Sequence, residues 1–125
     1  YVVVSSAATD SRRRALDDAG AEVVVAGDER VALENALSAL SARGVETLMI
    51  EGGGEIIYSF FAAGLVDELT VYVGSLIVGG RDAPTLADGD GFVASFPDLS
   101  LEDVREVDDG VLLEYTVTGR SETTG

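Results

Sequence analysis

Apolar residues come in short bursts separated by stretches with helical spacing. Val2, Val3 and Val4, inside the segment Tyr1–Ser6, form a continuous apolar run of the kind found in strands covered on both faces. A helix is predicted from about Asp10 to Ala19, with Thr9 or Asp10 as its N-cap and Gly20 as its stop. Val23–Ala26 predicts the next strand. Asp28 then opens a second helix in which Leu33, Leu37 and Leu40 share one face, and Gly44 ends it. Thr47–Ile50 predicts a third strand. Beyond a glycine run, a third helix reaches about Ala63, burying Ile56, Ile57, Phe60 and Phe61 and closing at Gly64, and Leu69–Val73 follows as a fourth strand. Strands alternating with helices of this length predict a parallel sheet with helices on its faces.

The second half changes period. Ser75–Val78 reads as a short strand entering a loop, Gly79 to Gly91, whose Gly and Asp content predicts a mobile or ligand-facing segment. Phe92–Ser95 follows, and then two strands, about Leu99 to Val107 and Val111 to Thr118, joined at Asp109-Gly110, where glycine supplies the positive φ of a hairpin turn. The expected architecture is therefore α/β, a mostly parallel sheet flanked by helices and finished by a C-terminal antiparallel hairpin. A buried strand at the very start needs neighbours on both sides, so the N-terminal part of the fold is expected to be missing, with sequence before Tyr1 belonging to it. At 125 residues the chain fits one domain, with 1–118 as its folded portion and 119–125 as a flexible tail.

Composition narrows the chemistry. Apolar residues are 46% of the chain, enough for a core, and no apolar run is long enough to cross a bilayer, so a cytoplasmic protein is expected. There is no cysteine and no histidine, which removes disulfides, thiol and imidazole catalysis and most zinc chemistry; no metal site is expected. The 23 acidic residues face 8 basic ones, all arginine, for a net charge of −15. Such a charge repels nucleic acid and anionic membranes. With lysine absent, it points to a halophilic protein from a salt-rich cytoplasm rather than to a particular function.

The most informative segment is Glu51-Gly52-Gly53-Gly54-Glu55, placed between a predicted strand and the start of a helix, where open α/β sheets bind phosphorylated ligands. Three glycines let a ligand approach the backbone, and helix-start amides offer it hydrogen bonds without any lysine. The same glycines also suit a tight turn with no ligand. Neither the dinucleotide fingerprint G-x-G-x-x-G nor the P-loop is present. Arg12, Arg13 and Arg14 form the one cationic cluster, open to two readings, a phosphate contact shared with Ser5 and Ser6 or solvated helix charges. Arg81, after a glycine pair, is either a phosphate contact or a surface partner of Asp82.

Glu51-Gly52-Gly53-Gly54, then Gly64-Leu65-Val66-Asp67-Glu68-Leu69, Val71-Tyr72-Val73 and Gly79-Gly80-Arg81-Asp82-Ala83-Pro84-Thr85 together resemble the reductases of riboflavin biosynthesis, the family that includes the C-terminal reductase domain of bifunctional RibD. The resemblance runs from the first strand to the final hairpin. It implies a dihydrofolate-reductase-like fold and an NADPH-dependent reduction, in which the ribosylamino group of a pyrimidinone 5′-phosphate becomes a ribitylamino chain. It further implies that Gly52, Gly53, Gly54 and Glu55 lie along the cofactor, that Val31 packs on its adenine, that Glu51 faces the substrate, and that the protein is a homodimer, with Leu69–Val73 and Val111–Val117 available to pair across it. A cis peptide between two of Gly52, Gly53 and Gly54 is implied as well. No residue stands out as a catalytic proton donor. A non-catalytic nucleotide- or phosphosugar-binding module is the alternative reading.

Overall fold

The computed structural model describes residues 1–122 and divides the chain into two compact units, Tyr1–Met49 and Ile50–Gly125. In the first unit, strands β1 (Val2–Val4) and β2 (Val23–Val25) pair in parallel, Val3 opposite Val24, joined by helix α1 (Asp10–Asp18). Helix α2 (Leu33–Ser41) follows β2. Val24, Ala26 and Ala36 are buried and form its small core, with Leu33, Leu37 and Leu40 half-buried on the face that their spacing predicts. The loop from Gly27 to Ala32 closes back on β2 through a bond from the Ala32 amide to the Ala26 carbonyl at 3.1 Å. The same loop accepts hydrogen bonds from the chain just after β1, Ser6 N to Gly27 O at 2.9 Å and Ala7 N to Asp28 O at 3.0 Å.

The second unit begins with the glycine turn and helix α3 (Gly54–Ala62), whose Phe60 and Phe61 are buried. The helix ends at Gly64, which takes a φ of 68° and lets the Leu65 amide reach back to the Phe60 carbonyl at 3.0 Å. That left-handed C-terminal closure is one glycine adopts without a Cβ penalty, and Gly20 and Gly44 end α1 and α2 in the same way. Strands β3 (Glu68–Val73), β4 (Ser95–Val107) and β5 (Gly110–Glu122) make an antiparallel sheet in the order β3-β5-β4. Two register shifts in β4, at Asp98/Leu99 and Leu101/Asp103, mark bulges.

The α/β class, the three helices and the terminal hairpin match the sequence pattern, while several elements differ. Parallel pairing is limited to the two-stranded sheet of β1 and β2, and β3 belongs to a separate sheet in which it pairs antiparallel with β5. Thr47–Ile50 joins no ladder, and Leu48 and Met49 stay exposed; an apolar run becomes a strand only where another strand pairs with it. Ser75–Val78 and Phe92–Ala94 likewise stay outside the sheet, with Ile77 99% exposed. Ile56 is also exposed, so α3 buries a narrower face than predicted. Of the expected tail, Gly119 to Glu122 continue β5 and pair with β4, and 123–125 lie outside the described residues. β5 is the central strand, so Leu69–Val73 and Val111–Val117 already pair with each other.

The hairpin turn also sits one residue earlier than expected. Asp108 and Asp109 form it, Asp108 takes the positive φ of 52°, and Val107 pairs with Gly110. Gly110 serves packing instead, since a Cβ there would meet the Tyr72 ring and, at 2.6 Å, the Val73 carbonyl. The Tyr72 hydroxyl donates toward Asp109 Oδ1 at 3.2 Å, and the Ser75 hydroxyl donates to the Asp109 carbonyl, so the turn is fastened from β3 and the residues after it.

Candidate functional site

The chain enters the glycine segment from the irregular stretch before it, and Gly52 (φ 113°) and Gly53 (φ 31°) turn it into α3. Both angles fall where side chains are strongly disfavoured, so glycine is needed for the turn itself. Nothing lies within 4 Å of the place where a Cβ would stand on either residue, so the turn leaves open space beside its backbone. All described peptide bonds are trans, so the expected cis Gly-Gly bond is absent and the reversal is made by positive φ alone. In the first turn of α3 the Ile56 amide donates to the Gly53 carbonyl at 3.0 Å and the Ile57 amide reaches the same carbonyl at 3.3 Å. The amides of Gly54 and Glu55 come before these bonds, among the donors that every helix start leaves for a cap or a ligand. Open space, two exposed glycines and a helix dipole suit the phosphates of a dinucleotide; the residues present fit an NADPH diphosphate on these grounds.

Glu51, Gly52, Gly53, Gly54 and Glu55 therefore come together as one turn, and both carboxylates are exposed. Val31 belongs to the first unit, in the loop closed by Ala32, where it is 37% exposed rather than buried in α2. In that unit Ser5 and Ser6 spend their hydroxyls on the carbonyls of Glu29 and Asp28, each at 3.2 Å. Arg13 donates to the Ala8 carbonyl at 3.0 Å and pairs with Asp10 at 3.2 Å, a local helix-start arrangement, while Arg12 and Arg14 are exposed.

The long loop after β3 is not free of the core. Tyr58, one turn into α3, donates its hydroxyl to the Gly91 carbonyl at 3.3 Å, packs against Phe92 with ring centroids 5.0 Å apart and planes tilted by 44°, and its ring fills the place of a Cβ on Gly89. Asp88 lies against Gly54 so closely that a Cβ on Gly54 would fall on its carboxylate. The Arg120 guanidinium stands 5.7 Å over the Phe92 ring and donates to the Phe61 carbonyl at 3.1 Å. Nothing in the sequence pattern points to Tyr58, Asp88 or Arg120, because contacts this far apart in the chain leave no periodic trace. Among the described residues no cluster of acidic side chains is arranged to hold a metal, and no helix is long and apolar enough to cross a membrane.

A glycine turn opening a helix, followed by an antiparallel hairpin sheet, defines a dihydrofolate-reductase-like α/β domain of the pyrimidine-reductase class. Residues 1–113 match the RibD C-terminal domain, and the chain belongs to that family. It is 46% identical over 101 residues to the 2,5-diamino-6-ribosylamino-4(3H)-pyrimidinone 5′-phosphate reductase of Methanothermobacter thermautotrophicus, covering 79% of this chain and 47% of that protein. To the reductase of the same name from Archaeoglobus fulgidus it is 39% identical over 119 residues, 95% of this chain and 51% of the relative. Among solved structures, a pyrimidine reductase-like protein of Corynebacterium diphtheriae superposes with a TM-score of 0.77 at 27% identity, covering 94% of this chain and 49% of that one. RibD of Acinetobacter baumannii superposes at 0.71 and 25% identity, covering 94% of this chain and 31% of that one. The chain spans about half the length of the curated relatives it matches.

Proposed function

We propose that this chain provides the cofactor-holding turn of an NADPH-dependent reductase of riboflavin biosynthesis, acting on the ribosylamino group of a diaminopyrimidinone 5′-phosphate. The observation that carries the reading is the open turn at Gly52 and Gly53 on the N-terminus of α3, in a chain of the RibD C-terminal domain family. When bound, NADPH supplies the hydride. The chain's own part is to hold it: Gly52 and Gly53 admit the diphosphate to the backbone, and the amides of Gly54 and Glu55 donate to it. Glu51, next to the glycines, is the residue we assign to the substrate side.

The same reading carries a homodimer. Leu99, Leu101 and Val104 on β4, at 42%, 52% and 53% exposure, are apolar side chains available to such a contact. The charge of −15 and the absence of lysine support work in concentrated salt, inside the cell. The test is NADPH consumption on addition of the pyrimidinone phosphate in potassium chloride, with the ribitylamino product identified by mass. Consumption matched by product supports the reductase. Saturable NADPH binding without consumption would favour the nucleotide-binding module instead.

A further inference from the structure

We propose that the loop running from Gly79 to Phe92 is a built-in gate on the glycine turn, with the Asp88 carboxylate as an internal rival of the incoming phosphate. The proposal rests on the reading that this turn holds the cofactor diphosphate. Asp88 is half-buried, and its carboxylate occupies the space that a side chain on Gly54, the first residue of α3, would need. It is held there. Thr85 donates its hydroxyl to Asp88 Oδ1 at 2.5 Å and its amide to the same oxygen at 3.4 Å, and the Thr85 hydroxyl also reaches the Ala87 carbonyl at 3.3 Å.

The residues just beyond Asp88 are fastened to the same helix. Gly89 lies under the Tyr58 ring, Gly91 accepts the Tyr58 hydroxyl, and Phe92 is packed between Tyr58 and Arg120. Arg120 in turn is tied to the far end of α3 at the Phe61 carbonyl. The loop is thus clamped along one helix, with a carboxylate set beside that helix's first residue.

A helix start attracts one anion readily, because its exposed amides and dipole carry roughly half a positive charge. Asp88 already compensates that charge from within the chain. An arriving diphosphate therefore meets a carboxylate beside the turn, with Glu51 and Glu55 within the turn segment and no arginine from residue 51 to residue 58. Binding then requires the segment around Asp88 to move away from Gly54. The exchange of one anion for another ties cofactor arrival to loop release.

The experiment compares NADPH affinity, by fluorescence titration, for the full chain, Asp88→Asn and Asp90→Asn, at the lowest potassium chloride at which circular dichroism shows all three folded. Asp90→Asn makes the same change in net charge two residues away. Removing a unit charge this close to the turn is expected to tighten binding about tenfold for Asp88→Asn. The advantage over Asp90→Asn should shrink to about twofold or less in 1 M salt, where screening acts over about 3 Å. Hydrogen exchange supplies the second readout, and saturating NADPH should speed exchange across residues 82–90 of the unsubstituted chain. Equal effects of the two substitutions, weaker binding by Asp88→Asn, or slower loop exchange with NADPH would each overturn the gate while leaving the cofactor reading intact. Failure of all three folded chains to bind NADPH would overturn the cofactor reading, and the gate with it.

Discussion

Gly110 lies against the Tyr72 ring and the Val73 carbonyl, so an added methyl has no room unless β3 moves away from β5. Gly110→Ala is accordingly expected to cost about 1–3 kcal/mol, the usual penalty of overfilling a packed site, read as a fall in the denaturation midpoint. Gly54→Ala makes a different demand. Alanine is the better helix former by about 1 kcal/mol, but its methyl collides with Asp88, so the loop must give way. Faster hydrogen exchange at residues 82–90 in that variant, with α3 intact by circular dichroism, is the expected result. At this scale the sequence was partly legible. The turn glycines Gly52 and Gly53 declared themselves by their place between an apolar run and a helix, whereas Gly110 looked like a turn residue because Asp-Gly is a common hairpin signal; the backbone gives the positive φ to Asp108, and the facing Tyr72 gives Gly110 its packing role.

Among the elements, α3 carries most of the second unit's described buried side chains. Phe60 is 6% exposed, and Phe60→Ala is expected to cost about 3–5 kcal/mol, whereas Ile56→Ala, at a position 45% exposed, should cost less than about 1 kcal/mol. Chemical unfolding of the two variants separates them. The Arg105–Glu114 pair at 2.6 Å joins β4 to β5 on the exposed surface, so Arg105→Ala should change stability by less than about 1 kcal/mol. Helices were easier to read than strands for a physical reason. A helix makes its hydrogen bonds within its own segment and is stopped by its own glycine, as at Gly20, Gly44 and Gly64. A strand depends on a partner elsewhere, so Thr47–Ile50 has the composition of one and forms none, and β3 was legible in extent but not in the direction of its partner.

The whole molecule carries 23 carboxylates against 8 guanidinium groups, and its ion pairs are at the surface. Self-repulsion on this scale opposes compaction, and molar salt, with a screening length of about 3 Å, relieves it. The thermal midpoint should therefore rise steadily with potassium chloride, and NADPH affinity should rise too, the reverse of the salt response of a basic phosphate site. The glycine turn was legible because Glu51–Glu55 is a contiguous signal. The loop docked on it was not, because Asp88, Tyr58 and Arg120 come from three distant segments.

Whether the Gly52–Glu55 turn holds the cofactor diphosphate is decided by titrating NADPH into the folded chain and into Gly53→Asp in potassium chloride. Saturable binding by the chain is expected, with a loss of at least about tenfold in the variant, where a carboxylate enters the open side of the turn. Equal affinity in two folded chains would contradict it and move the cofactor away from the glycine turn.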